Sequence, residues 1–102
     1  MREIKFRAWD KVQKEMHDWD YLKGWTFRQI ESQKDVVELM QYTGLKDKND
    51  KEIYESDKIK DLDGNVGVVE FDDGSFIIRH ENGTSDFIAR VNHFEIVGNV
   101  YE

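Results

Sequence analysis

The residues closest to a recognisable chemistry are Asp61-Leu62-Asp63-Gly64-Asn65-Val66 and Glu70. Their spacing fits the later oxygen donors and the turn glycine of a calcium loop. The position of the first ligand falls on Ile59, whose side chain offers no oxygen. The flanks alternate like strands rather than helices, so the segment reads as a hairpin turn. The histidines are His17, His80 and His93. His93 and Glu95 share a strand face at i, i+2, as Asp18 and Asp20 do if that stretch is extended, but a metal site needs such groups to converge from distant segments. No HxH or HExxH spacing is present, and the histidines read as exposed or edge-strand residues. Ser32, Ser56, Ser75 and Ser85 fall in predicted turns or at strand ends, outside any G-x-S-x-G elbow. There is no glycine-rich phosphate loop, and Asp72-Asp73 has the composition of a turn. Asn82-Gly83-Thr84 matches a glycosylation sequon and is also read as a turn. These patterns assign no catalytic residue, no cofactor and no metal ligand, and they argue against an enzyme.

The elements that position these residues are predicted to be mostly strands. Ile4, Phe6 and Ala8 alternate with Lys5, Arg7 and Trp9, which predicts a strand with one buried face. Asp10 to Glu15 is a polar turn, and Met16 to Leu22 is predicted as a short return strand. Trp25, Phe27 and Gln29 alternate and predict a further strand, followed by a mobile turn at Glu31–Asp35; a 3.6-residue stripe through Phe27, Ile30, Lys34 and Val37 is the weaker helical alternative. From Ile59 the chain reads as a meander. Strands at Ile59–Leu62, Val66–Phe71, Ser75–His80 and Thr84–Val91 are separated by Asp63-Gly64, Asp72-Asp73-Gly74 and Asn82-Gly83. Asp-Gly and Asn-Gly supply the positive φ angles of type I′ hairpin turns. Phe94–Tyr101 closes the series, and Gly98 inside it predicts a bulge. The expected fold is mostly β with minor α, an antiparallel hairpin meander forming a small barrel or pseudobarrel.

A second pattern precedes the meander. Asp10–Leu22 (DKVQKEMHDWDYL) and Asp47–Ile59 (DKNDKEIYESDKI) are identical at five of thirteen positions and lie 37 residues apart. Each follows a predicted strand, so the chain contains a possible internal duplication of one strand–turn–strand unit.

At 102 residues the chain is expected to form a single domain, 1–102. The net charge of −7 is uneven: residues 1–51 carry 11 Lys/Arg against 10 Asp/Glu, and residues 52–102 carry 4 against 12. So acidic a second half repels phosphate, and nucleic acid is an unlikely partner. The one basic-aromatic cluster, Arg2, Lys5, Arg7, Lys11 and Lys14 with Trp9, supports the alternative of a regulator in a nucleic-acid-linked process. The absence of cysteine excludes disulfides and thiolate metal sites. No signal-like or membrane-spanning apolar run is present, so a cytoplasmic location without membrane attachment is expected.

The stretch Gln41-Tyr42-Thr43-Gly44-Leu45, Asp47, Ile53-Tyr54-Glu55 and Asp57 resembles the signature of the YopX family of small phage and prophage proteins. The opening Arg2–Asp10 and the closing Glu95–Glu102 resemble that family's two ends. The resemblance implies a phage or prophage origin, a host bacterial cytoplasm, a mostly β fold and self-assembly, and it implies no catalytic residues. Within the motif, Gly44 is expected to permit a bend, Thr43 and Asp57 to bond turn amides, and Tyr42 and Tyr54 to pack the hairpin with their hydroxyls toward water. Asp50 and Ser56 stand where the family favours glycine, and their side-chain oxygens are expected to hold the turns in place of a positive φ. Aromatics make up 13% of the residues, more than one small core requires, and Trp9, Trp19 and Trp25 are the candidate interface residues. The expected role is that of a non-enzymatic phage accessory protein, a homo-oligomer that binds a host or phage protein.

Overall fold

The structure, a computed structural model, describes residues 3–81, 83–87 and 94–102. It is mostly β, with antiparallel sheets and two short helices, as expected. The chain divides into two compact units, Met1–Tyr42 and Thr43–Glu102.

In the first unit, β1 (Phe6–Asp10) pairs antiparallel with β2 (Glu15–His17) and with the start of β3 (Val37–Lys46). Ala8, Leu22 and Val37 form its core, with Phe6, Trp19, Trp25 and Val36 packed around them. The buried face of β1 therefore carries Phe6 and Ala8 as predicted, but Ile4 lies before the strand and is exposed.

Two stretches predicted as strand are helical. α1 (Trp19–Leu22) starts at Asp18, whose carboxylate accepts from the Tyr21 amide at 3.0 Å. Asp18 and Asp20 therefore do not share a strand face. α2 (Phe27–Ser32) replaces the expected strand, and the turn expected at Glu31–Asp35 falls at 33–36. Thr26 Oγ1 accepts from the Gln29 amide (3.2 Å), and Gln29 Oε1 accepts from the Thr26 amide (2.8 Å). That reciprocal pair satisfies two amides that the first helical turn leaves without partners. A helical start also frees Phe27 from the alternation that suggested a strand, and the residue is 92% exposed.

In the second unit, the end of β3 neighbours β4 (Glu52–Tyr54). The remaining strands are β5 (Asp57–Lys60), β6 (Val66–Asp72), β7 (Ser75–His80), β8 (Ser85–Phe87) and β9 (Glu95–Asn99). They form a five-stranded antiparallel sheet in the order β8-β7-β6-β5-β9. It is a curled half-barrel with β8 and β9 at its edges. Ile53, Ile59, Val69 and Ile78 form the core, joined by Leu45, Phe94 and Ile96.

Of the predicted hairpin turns, the one at Asp72-Asp73-Gly74 holds; the strand expected at Ile59–Leu62 instead ends at Lys60, and Asp63-Gly64 sits in a five-residue connection, 61–65, where Gly64 (φ 86°) has a positive φ and Asp63 does not. Asp73 (φ 51°) and Gly74 (φ 82°) make the two-residue connection between β6 and β7, both with the positive φ of a type I′ turn. The predicted bulge is also present. Lys58 faces Gly98 and Ile59 faces Ile96, so Val97 has no opposite residue, and Gly98 takes a φ of 148°. Gly67 has a different reason for being glycine. A Cβ there would lie 2.4 Å from Ile78 Cγ2, so the side chain of Ile78 occupies the space one would need. Part of the predicted Thr84–Val91 strand, Asn82 of the third turn and His93 lie outside the described residues.

The two segments proposed as a duplication are alike in their first half. Each makes a strand, a polar turn and a return strand, β1–β2 and β3–β4. They part afterwards, where the first continues into α1 and the second into β5.

Candidate functional site

The Gln41–Asp57 motif lies in β3, β4 and the turns that follow them, and most of its polar atoms are engaged inside the protein. Thr43 Oγ1 donates to the Ile53 carbonyl (2.8 Å) and accepts from the Leu45 amide (3.1 Å), which ties β3 to β4. Gly44 allows the chain to bend between them with a φ of 88°. Asp47 is 4% exposed. Its Oδ1 accepts from the amides of Asn49 (2.8 Å) and Lys51 (2.9 Å), and its Oδ2 from the amide of Ile96 (3.0 Å) in β9. Burial pushes this carboxyl up; the three amides and the Lys51 ammonium outweigh burial and hold it below its ordinary value. Asp57 is 2% exposed, and its Oδ2 accepts from the Tyr54 amide at 2.8 Å. Asp57 therefore bonds an amide at the turn between β4 and β5, as expected, whereas the amide that Thr43 bonds lies within β3. Tyr42 and Tyr54 are buried.

The motif also holds the closing segment. Besides the bond from Asp47 to Ile96, the Lys48 amide donates to the Phe94 carbonyl (2.9 Å) and the Val100 amide to the Ser56 carbonyl (3.0 Å). Asp57 lies opposite Asn99 in the β5–β9 pair. Asn99 is itself buried, and its Oδ1 accepts from the amides of Tyr101 and Glu102. Sequence reasoning left Asn99 unassigned, although an asparagine two residues before an aromatic near a strand end signals such a turn.

One expectation about the motif is corrected. Asp50 and Ser56 do not avoid a positive φ; they adopt 66° and 72°. The Asp50 amide donates to the Asp47 carbonyl (3.0 Å), and the Ser56 amide to the Val69 carbonyl (2.7 Å).

Two polar cavities lie away from the motif's buried bonds. In the second unit, Asp61, Asn65, His80, Thr84 and Asp86 line an open space of about 550 Å³. The calcium-like segment forms one wall, and its Asp61 and Glu70 are engaged. Asp61 Oδ1 accepts from the amides of Asp63 and Asn65, and Glu70 pairs with Arg79 at 2.7 Å. The Asn65 amide is the main cause that holds the Asp61 carboxyl below its ordinary value. His80 Nε2 lies 2.9 Å from Asp86 Oδ2. Among the described residues, no three His, Asp or Glu side chains converge as metal ligands.

In the first unit, a cavity of about 290 Å³ opens between the Asp10 turn and the two helices. His17 Nε2 stands 3.4 Å from Asp10 Oδ2, and its ring stacks on Tyr21 at 4.4 Å. The candidate tryptophans are all half-buried. Trp19 and Trp25 pack against the core, and Trp25 also lines the cavity. Two residues of the basic cluster are paired within the unit, and Lys14 is exposed. Lys5 pairs with Glu3 and lies over the Tyr42 ring, and Lys11 pairs with Glu38. Arg2 lies outside the described residues.

A family model described as YopX protein matches residues 5–102. The chain belongs to the YopX family. Two crystal structures share its fold from end to end. Protein EF1440 from Enterococcus faecalis is 21% identical, with a TM-score of 0.67 over 99% of this chain and 95% of that one. Protein yopX from Bacillus subtilis is 23% identical, with a TM-score of 0.60 over 99% and 94%. At such identities the likeness is one of fold. No curated protein matches. Within this YopX-family chain, the conspicuous motif is therefore an internal fastening between β3, β4 and β9. Other polar groups line the two cavities. No helix is long and apolar enough to cross a membrane, among the described residues.

Proposed function

We propose that this YopX-family chain is a non-enzymatic protein-binding module that assembles with copies of itself, as an accessory protein of a phage or prophage in the bacterial cytoplasm. The observation that carries the reading is Phe27, 92% exposed at the first position of α2. Tyr21 on the preceding helix is 54% exposed. An uncovered phenylalanine forgoes about 1.5–3 kcal/mol of burial, which a partner surface restores. The motif supports the reading indirectly, because its polar groups are used to hold the fold together. The acidic second half favours basic protein partners and disfavours nucleic acid. The internal pairing of Lys5 and Lys11 gives the nucleic-acid alternative no further support. The phage setting rests on the family resemblance alone.

Sedimentation equilibrium at micromolar concentration tests the assembly. The expected result is a species heavier than the 12.2 kDa chain, with Phe27→Ser shifting it to the monomer. A 12.2 kDa monomer for the unaltered chain at every concentration overturns self-assembly.

A further inference from the structure

The cavity of the first unit brings together a carboxylate, two aromatic rings and three side-chain amides. Asp10 ends β1 at the turn, and its Oδ1 accepts from the amides of Val12 and Gln13, both at 2.9 Å. A carboxylate offers about four acceptor directions. Two are filled on Oδ1, and Oδ2 has only the long 3.4 Å approach of His17. Asp10 lines the cavity. Tyr21 stacks on His17 with the planes 17° apart, while Trp25 stands 5.8 Å from Tyr21 at 60° to it. The two rings make an aromatic corner beside the carboxylate. Gln13, Gln29 and Gln33 add side-chain amides to the rim. No lysine or arginine is among the described lining residues, and Asp10 is the carboxylate there.

We propose that this cavity is a receptor for a guanidinium group, the arginine side chain of a basic protein partner. A guanidinium is flat, permanently charged and rich in donors. It stacks on an aromatic face, donates to a carboxylate and donates onward to amide oxygens, which is the set of groups present. A lysine ammonium lacks the flat face. A sugar or other neutral ligand gains nothing from the Asp10 charge. At about 290 Å³ the space lies at the lower limit for ligand pockets and suits one side chain rather than a nucleotide. The inference rests on the protein-binding reading and names the chemistry of the partner. It is independent of self-assembly, because an isolated side chain suffices to test it.

The experiment titrates N-acetyl-arginine methylamide into the full chain. Tryptophan fluorescence is the readout, since all three tryptophans lie in the first unit. Saturable binding with a Kd of about 1 mM is expected. N-acetyl-lysine methylamide should bind about tenfold more weakly. Asp10→Asn removes the charge but keeps an oxygen for the Val12 and Gln13 amides, so it should fold and lose about tenfold in affinity. Tyr21→Ala provides a second variant at a ring already 54% exposed, and it should also weaken binding. Three outcomes overturn the proposal: no saturation at about 50 mM, equal binding of the lysine compound or of methyl glucoside, or unchanged affinity in both variants. None of them bears on the sedimentation result, so failure here and failure of self-assembly are read separately.

Discussion

The turns after β1 and β3 begin with the same residues, Asp-Lys, and end with the same pair, Lys-Glu. In both, the aspartate Oδ1 accepts two amides of its own turn, from Val12 and Gln13 in one and from Asn49 and Lys51 in the other. Both include a residue other than glycine with positive φ, Lys14 at 57° and Asp50 at 66°. The difference is the second oxygen. Asp47 Oδ2 accepts the amide of Ile96, 49 residues away, and becomes a long-range fastening. Asp10 Oδ2 meets only His17 across 3.4 Å, and Asp10 lines a cavity. One turn design thus serves two ends. Where a distant strand supplies the last donor, the aspartate closes the fold, and where none does, it is left available to a ligand.

The largest effect should come from Asp47→Asn. Asparagine keeps an oxygen for the Asn49 and Lys51 amides, but its NH2 group would face the Ile96 N–H, donor against donor. Leaving that buried amide without an acceptor, and losing the charge, should cost about 2–4 kcal/mol. Thermal unfolding should show it as a Tm lower by about 10 °C or more. Asp10→Asn should leave the Tm close to that of the unaltered chain, because the amide bonds of its turn survive. Equal losses in the two variants would break the comparison.

Acid should separate the two aspartates less sharply. Interactions with Ile96, Lys51 and Asn49, acting against burial, hold the folded Asp47 carboxyl below its ordinary 3.8. Such a group contributes stability that is fully present above its unfolded pKa and is lost as pH falls through the folded one. The stability gap between the unaltered chain and Asp47→Asn should therefore be constant near neutrality and narrow below about pH 4. Denaturant melts between pH 7 and pH 3 measure it. A gap that persists undiminished in acid would mean that the Asp47 charge is not what holds β9.

Much of this could be read from the chain. Asp73-Gly74 and Gly98 announced a hairpin and a bulge because a positive φ is a local demand, met by local residue types. α2 was missed because Trp25, Phe27 and Gln29 alternate, although Thr26 and Gln29 at capping-box spacing were the stronger local signal. The bond from Asp47 to Ile96 joins residues that no periodicity connects. The cavity was hidden for the same reason, since Asp10, His17, Tyr21 and Trp25 converge only once the Trp19–Leu22 stretch winds into α1. The family motif pointed to the most constrained part of the molecule, which is not its most accessible part.

The smallest effect sharpens the likeness of the two turns rather than their difference. A left-handed conformation costs an ordinary residue about 1–2 kcal/mol, and replacing it by glycine returns about 0.5–1 kcal/mol of that as unfolded-chain entropy. Lys14→Gly should therefore stabilise by about 0.5–1 kcal/mol, and Ser56→Gly, at a φ of 72°, by a similar amount. Asp50→Gly should be close to neutral, because aspartate tolerates this conformation far better than lysine does. Urea titration of the three variants resolves the ranking. If Asp50→Gly stabilised the chain and Lys14→Gly did not, the strain would lie in the closed turn alone, and the open one would be relaxed by some contact other than its backbone hydrogen bonds.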